Sequence, residues 1–230
     1  MIALPSKLKL VVFDCDGTLV DSQHSIVACM ESAWRAFGLT VLPTAASVRR
    51  IVGLPLVEGI ALLHPDGSGA DHVTLADCYK QAFLSLRERG PEDEPLFPGV
   101  RDAVEQLNRA GVLMGVATGK GRRGLSVTLS RHGLMEFFVT RQTADDAPGK
   151  PHPGMLLQAM AEAGAAPEET VMVGDTTFDM MMARNAKVAA IGAAWGYHEP
   201  EELRESGAGA VISSCTELLS VLPEMMERAR

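Results

Sequence analysis

The chain has 230 residues, 47% of them hydrophobic, with a net charge of −8 and a pI near 5.3. That is enough apolar material for a sizeable core, in one domain or in a domain with a smaller companion. Acidity without any lysine–arginine block excludes nucleic acid and anionic membrane surfaces as natural partners, and no uncharged apolar run is long enough to span a bilayer.

In chain order, "LKLVVFD" (8–14) is the first element, a buried strand by its short apolar, β-branched and aromatic run. Three helical patterns follow with no convincing strand between them: "SIVACMESAWRAFG", "PLVEGIALLH" and "HVTLADCYKQAFLSLRERG". From about residue 97 helices and strands alternate. "VRDAVEQLNRA" is helical and closes at Gly111, and "VLMGVAT" is a strand. "RGLSVTLSRHG" is helical, "FFVT" strand-like, and "PGMLLQAMAEAG" a helix opened by Pro153 and closed by Gly164. "TVMVGD", "FDMMMARNA", "VAAIG", "GAVIS" and "TELLSVLPEMMERA" complete the pattern as strand, helix, strand, strand and helix. Such alternation predicts an α/β fold, a Rossmann-like parallel sheet with helices on both faces. The helical stretch breaks it, so residues 22–94 are expected to form an inserted α-helical cap domain on a core of 1–21 and 95–230. The connections would lie near 19–22 and 93–98, the second within the charged, proline-rich "GPEDEPLFPG".

Ligands of open α/β sheets bind beyond the carboxyl ends of the strands. Asp14 and Asp16 end the first strand, Thr118 ends "GVLMGVAT", and Lys150 follows "FFVT" in "APGKPHP". Asp175 ends "TVMVG", with Asp179 one helical turn later. Four strands thus aim polar groups at one sheet edge. Crowded carboxylates repel and lose hydration when buried, unless a hard cation such as Mg²⁺ stands among them. An oxygen of Asp14, the backbone carbonyl of Asp16 and the side chain of Asp175 suit that cation, and Gly17 lets the chain leave the strand tightly. A carboxylate in such a site can also act as a nucleophile toward phosphorus, with a second carboxylate as acid and then base.

"DCDGTLVDS", the threonine of "VATGK", the lysine of "GKPHP" and "GDTTFD" resemble, in order and spacing along the whole chain, the four motifs of the haloacid dehalogenase (HAD) superfamily. The helical insertion resembles the cap of its phosphoglycolate phosphatase-like subgroup. The resemblance implies Asp14 as nucleophile and Asp16 as acid/base, with Thr118, Gly119 and Lys150 on the phosphate. It implies Asp14, Asp16 and Asp175 around Mg²⁺, and Asp179 as a supporting carboxylate. It further implies a phosphatase acting on a small phosphorylated metabolite through an aspartyl-phosphate, with phosphoglycolate the first substrate to test. Haloacid dehalogenases lack the second aspartate of the first motif, and phosphonoacetaldehyde hydrolases carry a small residue there, so Asp16 favours phosphate esters. A β-phosphoglucomutase-like phosphomutase and a non-catalytic phosphate-ligand-binding module remain as alternatives. In the insertion, Arg49 and Arg50 precede a Gly-Leu-Pro turn and are candidates for a second anionic group of the substrate.

Other motifs yield less. "GKGRRG" (119–124) has the literal G-x-G-x-x-G spacing, with Asp145 downstream, but does not sit on the first βαβ unit and leaves Asp14, Asp16 and Lys150 without a role. The methionines at 180–182 have core spacing. Cys15, Cys29, Cys78 and Cys215 form neither a C-x-x-C pair nor a ligand cluster, and "MIALPSKLKL" lacks a signal-peptide core. Reduced thiols in a cytoplasmic monomer or homodimer are expected.

Overall fold

The computed structural model describes residues 4–88 and 94–228. Strands β1 (Leu10–Phe13), β2 (Leu113–Ala117), β3 (Phe138–Gln142), β4 (Thr170–Gly174), β5 (Ala189–Ala193) and β6 (Ala210–Ile212) form one sheet in the order β3-β2-β1-β4-β5-β6. Every neighbouring pair is parallel. β1 therefore lies inside the sheet, and all four of its side chains are buried. Their alternation divides them between two cores. Val11 and Phe13 join one cluster with α5 (Val100–Arg109), α6 (Arg122–Arg131) and α10 (Leu218–Arg228). Leu10 and Val12 join the other with α7 (Gly154–Ala163), α8 (Thr177–Asn185) and α9 (Pro200–Glu205). Helices thus cover both faces, as the alternating pattern predicts. Met180 and Met182 are buried in the second cluster.

Between β1 and α5 the chain forms α1 (Gln23–Phe37), α2 (Ala45–Ile51), α3 (Leu56–Leu63) and α4 (Gly69–Glu88). These helices share an apolar cluster of their own, built on Met30, Trp34, Val48, Ile60 and Leu75. The two connections to the sheet run side by side: Asp21 N donates to Pro95 O at 2.8 Å and Phe97 N to Leu19 O at 3.0 Å. The "GPED" part of the second connection lies outside the described residues.

Two short helices differ from the sequence expectation. α2 lies between two of the helical patterns read in the sequence; Thr44 caps it by accepting from Ser47 N at 3.1 Å, and Val48 and Ile51 are its buried residues. Seven residues are too few for an apolar stripe to repeat, so its signal is weak. α9, which no pattern above marks, is held by one buried residue, Leu203. Among the described residues no helix is long and apolar enough to cross a membrane.

Candidate active site

The carboxyl ends of β1, β2 and β4, with the loop after β3, bring Asp14, Thr118, Asp175 and Lys150 to one edge of the sheet, all at most 1% exposed. Lys150 Nζ lies 2.9 Å from Asp14 Oδ2 and 2.6 Å from Asp179 Oδ1. Carboxylate oxygens of Asp14, Asp175 and Asp179 fall within 4.8 Å of one another. Asp179 also belongs to the start of α8: Thr176 caps that helix by accepting from Asp179 N, while Asp179 Oδ2 accepts from Thr176 N at 3.1 Å and from Thr176 Oγ1 at 2.7 Å. One carboxylate therefore closes a capping box and faces the lysine.

Asp175 is held tightly. Thr18 Oγ1 donates to its Oδ1 at 2.6 Å and Tyr197 N to its Oδ2 at 3.0 Å. Glycines flank it: a Cβ on Gly17 would lie 2.2 Å from Asp175 Oδ2, and one on Gly196 would lie 2.2 Å from Asp175 Cβ. Gly17 also has φ +84°, a backbone that favours glycine. The turn predicted after the first strand is thus required twice, by conformation and by space.

The charge balance of this cluster is unfavourable for the protein alone. Burial raises the Asp14 carboxyl to about 7; Lys150 opposes the rise, and the charges of Asp179 and Asp16 add to it. Burial, then the Asp14 and Asp179 charges, push Asp175 well above the carboxylate range. Burial alone would lower Lys150, but the facing Asp14 and Asp179 charges hold it above its ordinary value. Ionised together, three buried carboxylates against one ammonium would leave net negative charge with little water to screen it, which is why Asp14 and Asp175 hold their protons more tightly than usual. A divalent cation with oxygen preference corrects that imbalance, and the donor set is all oxygen. The residues present therefore fit Mg²⁺.

Asp16 faces elsewhere. Its Oδ1 accepts from Ser22 Oγ at 2.6 Å and lies 3.0 Å from Lys120 Nζ. Lys120 also stands 3.8 Å from Glu94 and 5.8 Å from the centre of the Phe83 ring, with its side chain only 7% exposed. Ser22 Oγ is 3.2 Å from the Tyr197 hydroxyl. Tyr197 thus meets Asp175 with its amide and, through Ser22, the Asp16 carboxylate with its ring oxygen.

A cleft of about 490 Å³ opens on Asp14, Asp16, Thr118 and Gly119 and runs between the sheet edge and the inserted helices. The turn at 53–55 reaches the sheet side: a Cβ on Gly149 would lie 2.5 Å from Pro55 Cγ. The two arginines before that turn are not brought to the cleft. Arg49 donates to Gln23 Oε1 at 3.1 Å, and Arg50 pairs with Glu202 at 2.5 Å near the surface. Asp145, the downstream acid of the glycine-rich stretch, accepts from Arg122 N at 2.8 Å and is thereby spent on the start of α6.

Sequence reasoning did not find Glu94, Ser22 or the 195–197 loop, and it met Lys120 only as part of the glycine-rich stretch 119–124. The loop follows β5 and so lies at the same sheet edge, which is the one signal that could have found it.

The family model described as haloacid dehalogenase-like hydrolase matches residues 11–193. A Dickeya dadantii protein named "Probable phosphatase IndB" is 34% identical over 221 residues, covering 95% of each chain. A Vibrio vulnificus protein named phosphoglycolate phosphatase is 30% identical over 224 residues, covering 94% of this chain and 96% of its own. Among solved structures, a hydrolase from Pseudomonas syringae superposes with a TM-score of 0.82 at 26% identity, over 94% of this chain and 98% of that one.

Proposed function

The chain belongs to the haloacid dehalogenase-like hydrolase family, and from that premise we propose that it is a Mg²⁺-dependent phosphatase that hydrolyses a small phosphomonoester through a phosphorylated aspartate. The observation that carries this reading is the buried meeting of Asp14, Lys150, Asp175 and Asp179 beside an open cleft.

Each residue then has a step. Thr118 and the Gly119 amide hold phosphate oxygens, and Lys150 neutralises charge beside Asp14. Asp14 attacks phosphorus, and the bond from phosphorus to the ester oxygen breaks. Asp16 gives its proton to that departing oxygen. It then takes a proton from the water that attacks the phosphorylated Asp14, releasing inorganic phosphate and restoring the free carboxylate. The obstacle is repulsion: two unit charges 4 Å apart interact by roughly 4 kcal/mol at an effective dielectric near 20. Asp14, Asp175 and the backbone carbonyl of Asp16 would hold Mg²⁺, which would supply positive charge against that repulsion. Asp179 keeps Lys150 in place and closes the first turn of α8.

Residues 22–94 serve in this reading as a cap domain over a core of 1–21 and 95–230, excluding water and large substrates from the cleft. The partner is a small phosphorylated metabolite, and the chain works in the cytoplasm as a monomer or homodimer. The test is phosphate release from a panel of small phosphomonoesters, phosphoglycolate included, with and without Mg²⁺. Metal-dependent release is expected. Interconversion of sugar phosphates without release would assign a mutase, and binding without either would assign a non-catalytic module.

A further inference from the structure

The phosphate end of the cleft is polar, but its other end is not. Ile26 and Met30 of α1, Leu54 of the turn, and Tyr79, Phe83 and Leu84 of α4 line it as a mainly apolar wall that includes the exposed Lys80. Tyr79 and Phe83 meet edge to face at 5.1 Å between ring centres. Phe83 touches the reactive end as well, because Lys120 Nζ lies 5.8 Å from its ring centre and 3.0 Å from Asp16 Oδ1. The wall therefore begins where the ester oxygen must leave.

The cations around the cleft do not suit a carboxylate there. Lys120 is committed to Asp16, Lys80 pairs with Asp77 at 3.1 Å with its side chain 63% exposed, and Arg123 is exposed. Arg49 and Arg50 point to other partners. A glycolate group would bring its second negative charge against apolar side chains, losing hydration, and the one buried cation among the described lining residues, Lys120, is already held by Asp16. The size argues the same way. About 490 Å³ lies in the range, roughly 300–1,000 Å³, of pockets that hold ligands much larger than a two-carbon acid. Aromatic side chains arranged edge to face offer a further ring a favourable stacking surface.

We infer that this subsite takes the alcohol part of a phosphomonoester bearing an uncharged apolar or aromatic ring, in preference to phosphoglycolate. The inference rests on the phosphatase reading above and names the substrate class of the same site.

The test compares 2-phenylethyl phosphate, ethyl phosphate and phosphoglycolate at saturating Mg²⁺. The first two leave as similar primary alkoxides, so their difference reports the ring and not the chemistry. The expected kcat/KM for the phenylethyl ester exceeds that of both others by at least tenfold, about 1.4 kcal/mol in barrier, chiefly through KM. Phe83→Ala and Tyr79→Ala should each shrink the phenylethyl-to-ethyl ratio severalfold. Turnover of all three at similar kcat/KM, or a preference for phosphoglycolate, would overturn the apolar subsite and leave the phosphatase reading standing. Turnover of none, with the protein folded and Mg²⁺ present, would overturn the phosphatase reading and this inference with it. The wild-type ratio decides the matter even if a variant fails to fold.

Discussion

Lys120 Nζ lies 3.0 Å from Asp16 Oδ1, and the lysine side chain is more buried than the carboxylate it meets. Burial by itself would lower the lysine's affinity for its proton; the charge of Asp16, with Cys15 and Glu94 adding to it, holds it above the ordinary value instead. The ammonium is a fixed charge beside the proposed acid and base. Together with Ser22 it holds one and the same oxygen of Asp16, Oδ1.

Replacing that charge tests its role. Lys120→Met keeps most of the volume and removes the ion pair. We expect kcat to fall by about 10- to 100-fold, or roughly 1.4–2.8 kcal/mol, with a much smaller change in KM. Lys120→Arg should recover part of the loss. Steady-state kinetics on one ester read both. A loss confined to KM would make Lys120 a steering charge only.

Lys150 is the sole cation in contact with both Asp14 and Asp179 among the described residues. Lys150→Met leaves two buried carboxylates without it, and breaking a buried pair in this way costs about 3–5 kcal/mol. For a chain of this size that lowers Tm by roughly 6 °C or more. Thermal melts in metal-free buffer should show the drop. An unchanged Tm would mean that Asp14 and Asp179 are not ionised against Lys150 in the folded protein.

The fit of a cation can be read without turnover. Adding Mg²⁺ should raise Tm, because a ligand at 100 times its Kd stabilises the folded state by about 2.7 kcal/mol. Asp175→Ala should abolish most of that rise, and chelation should abolish wild-type activity. Equal Mg²⁺ stabilisation of wild type and variant would remove Asp175 from the site.

Gly196 tests the packing around the same residue. A Cβ there would lie 2.2 Å from Asp175 Cβ, so Gly196→Ala must displace the carboxylate or the loop that carries Tyr197. The Mg²⁺ concentration for half-maximal activity should rise by at least about tenfold, while far-ultraviolet circular dichroism stays as in wild type. No change would show that the loop yields freely and does not hold Asp175.

Much of this was legible because it is local. β1 shows itself as an apolar run, and Asp14, Thr118, Lys150 and Asp175 can be placed at one edge once the strands are assigned, since parallel strands end together. The role of Lys120 is different in kind. In sequence it sits in a glycine-rich stretch that looks like solvated loop. Its burial comes from Phe83 and Glu94, which reach it only after the inserted helices fold back over the edge. Arg49 and Arg50 show the converse. The turn after them does reach the sheet side, but α2 directs both arginines to Gln23 and Glu202, and no local pattern encodes a helix of seven residues. Tyr197 was missed because its two contacts, with Asp175 and Ser22, span more than 20 and more than 170 residues of chain.

The central claim is that Asp14 becomes phosphorylated. Its most direct test is rapid acid quench of the enzyme during turnover of a good ester, followed by mass spectrometry of the peptide containing residues 11–22. The account predicts one added phosphoryl group on Asp14 in wild type, none in Asp14→Asn, and a loss of turnover in that variant far beyond tenfold. A phosphoryl group on another residue, or Asp14→Asn turning over within about tenfold of wild type, a barrier change near 1.4 kcal/mol, would contradict it.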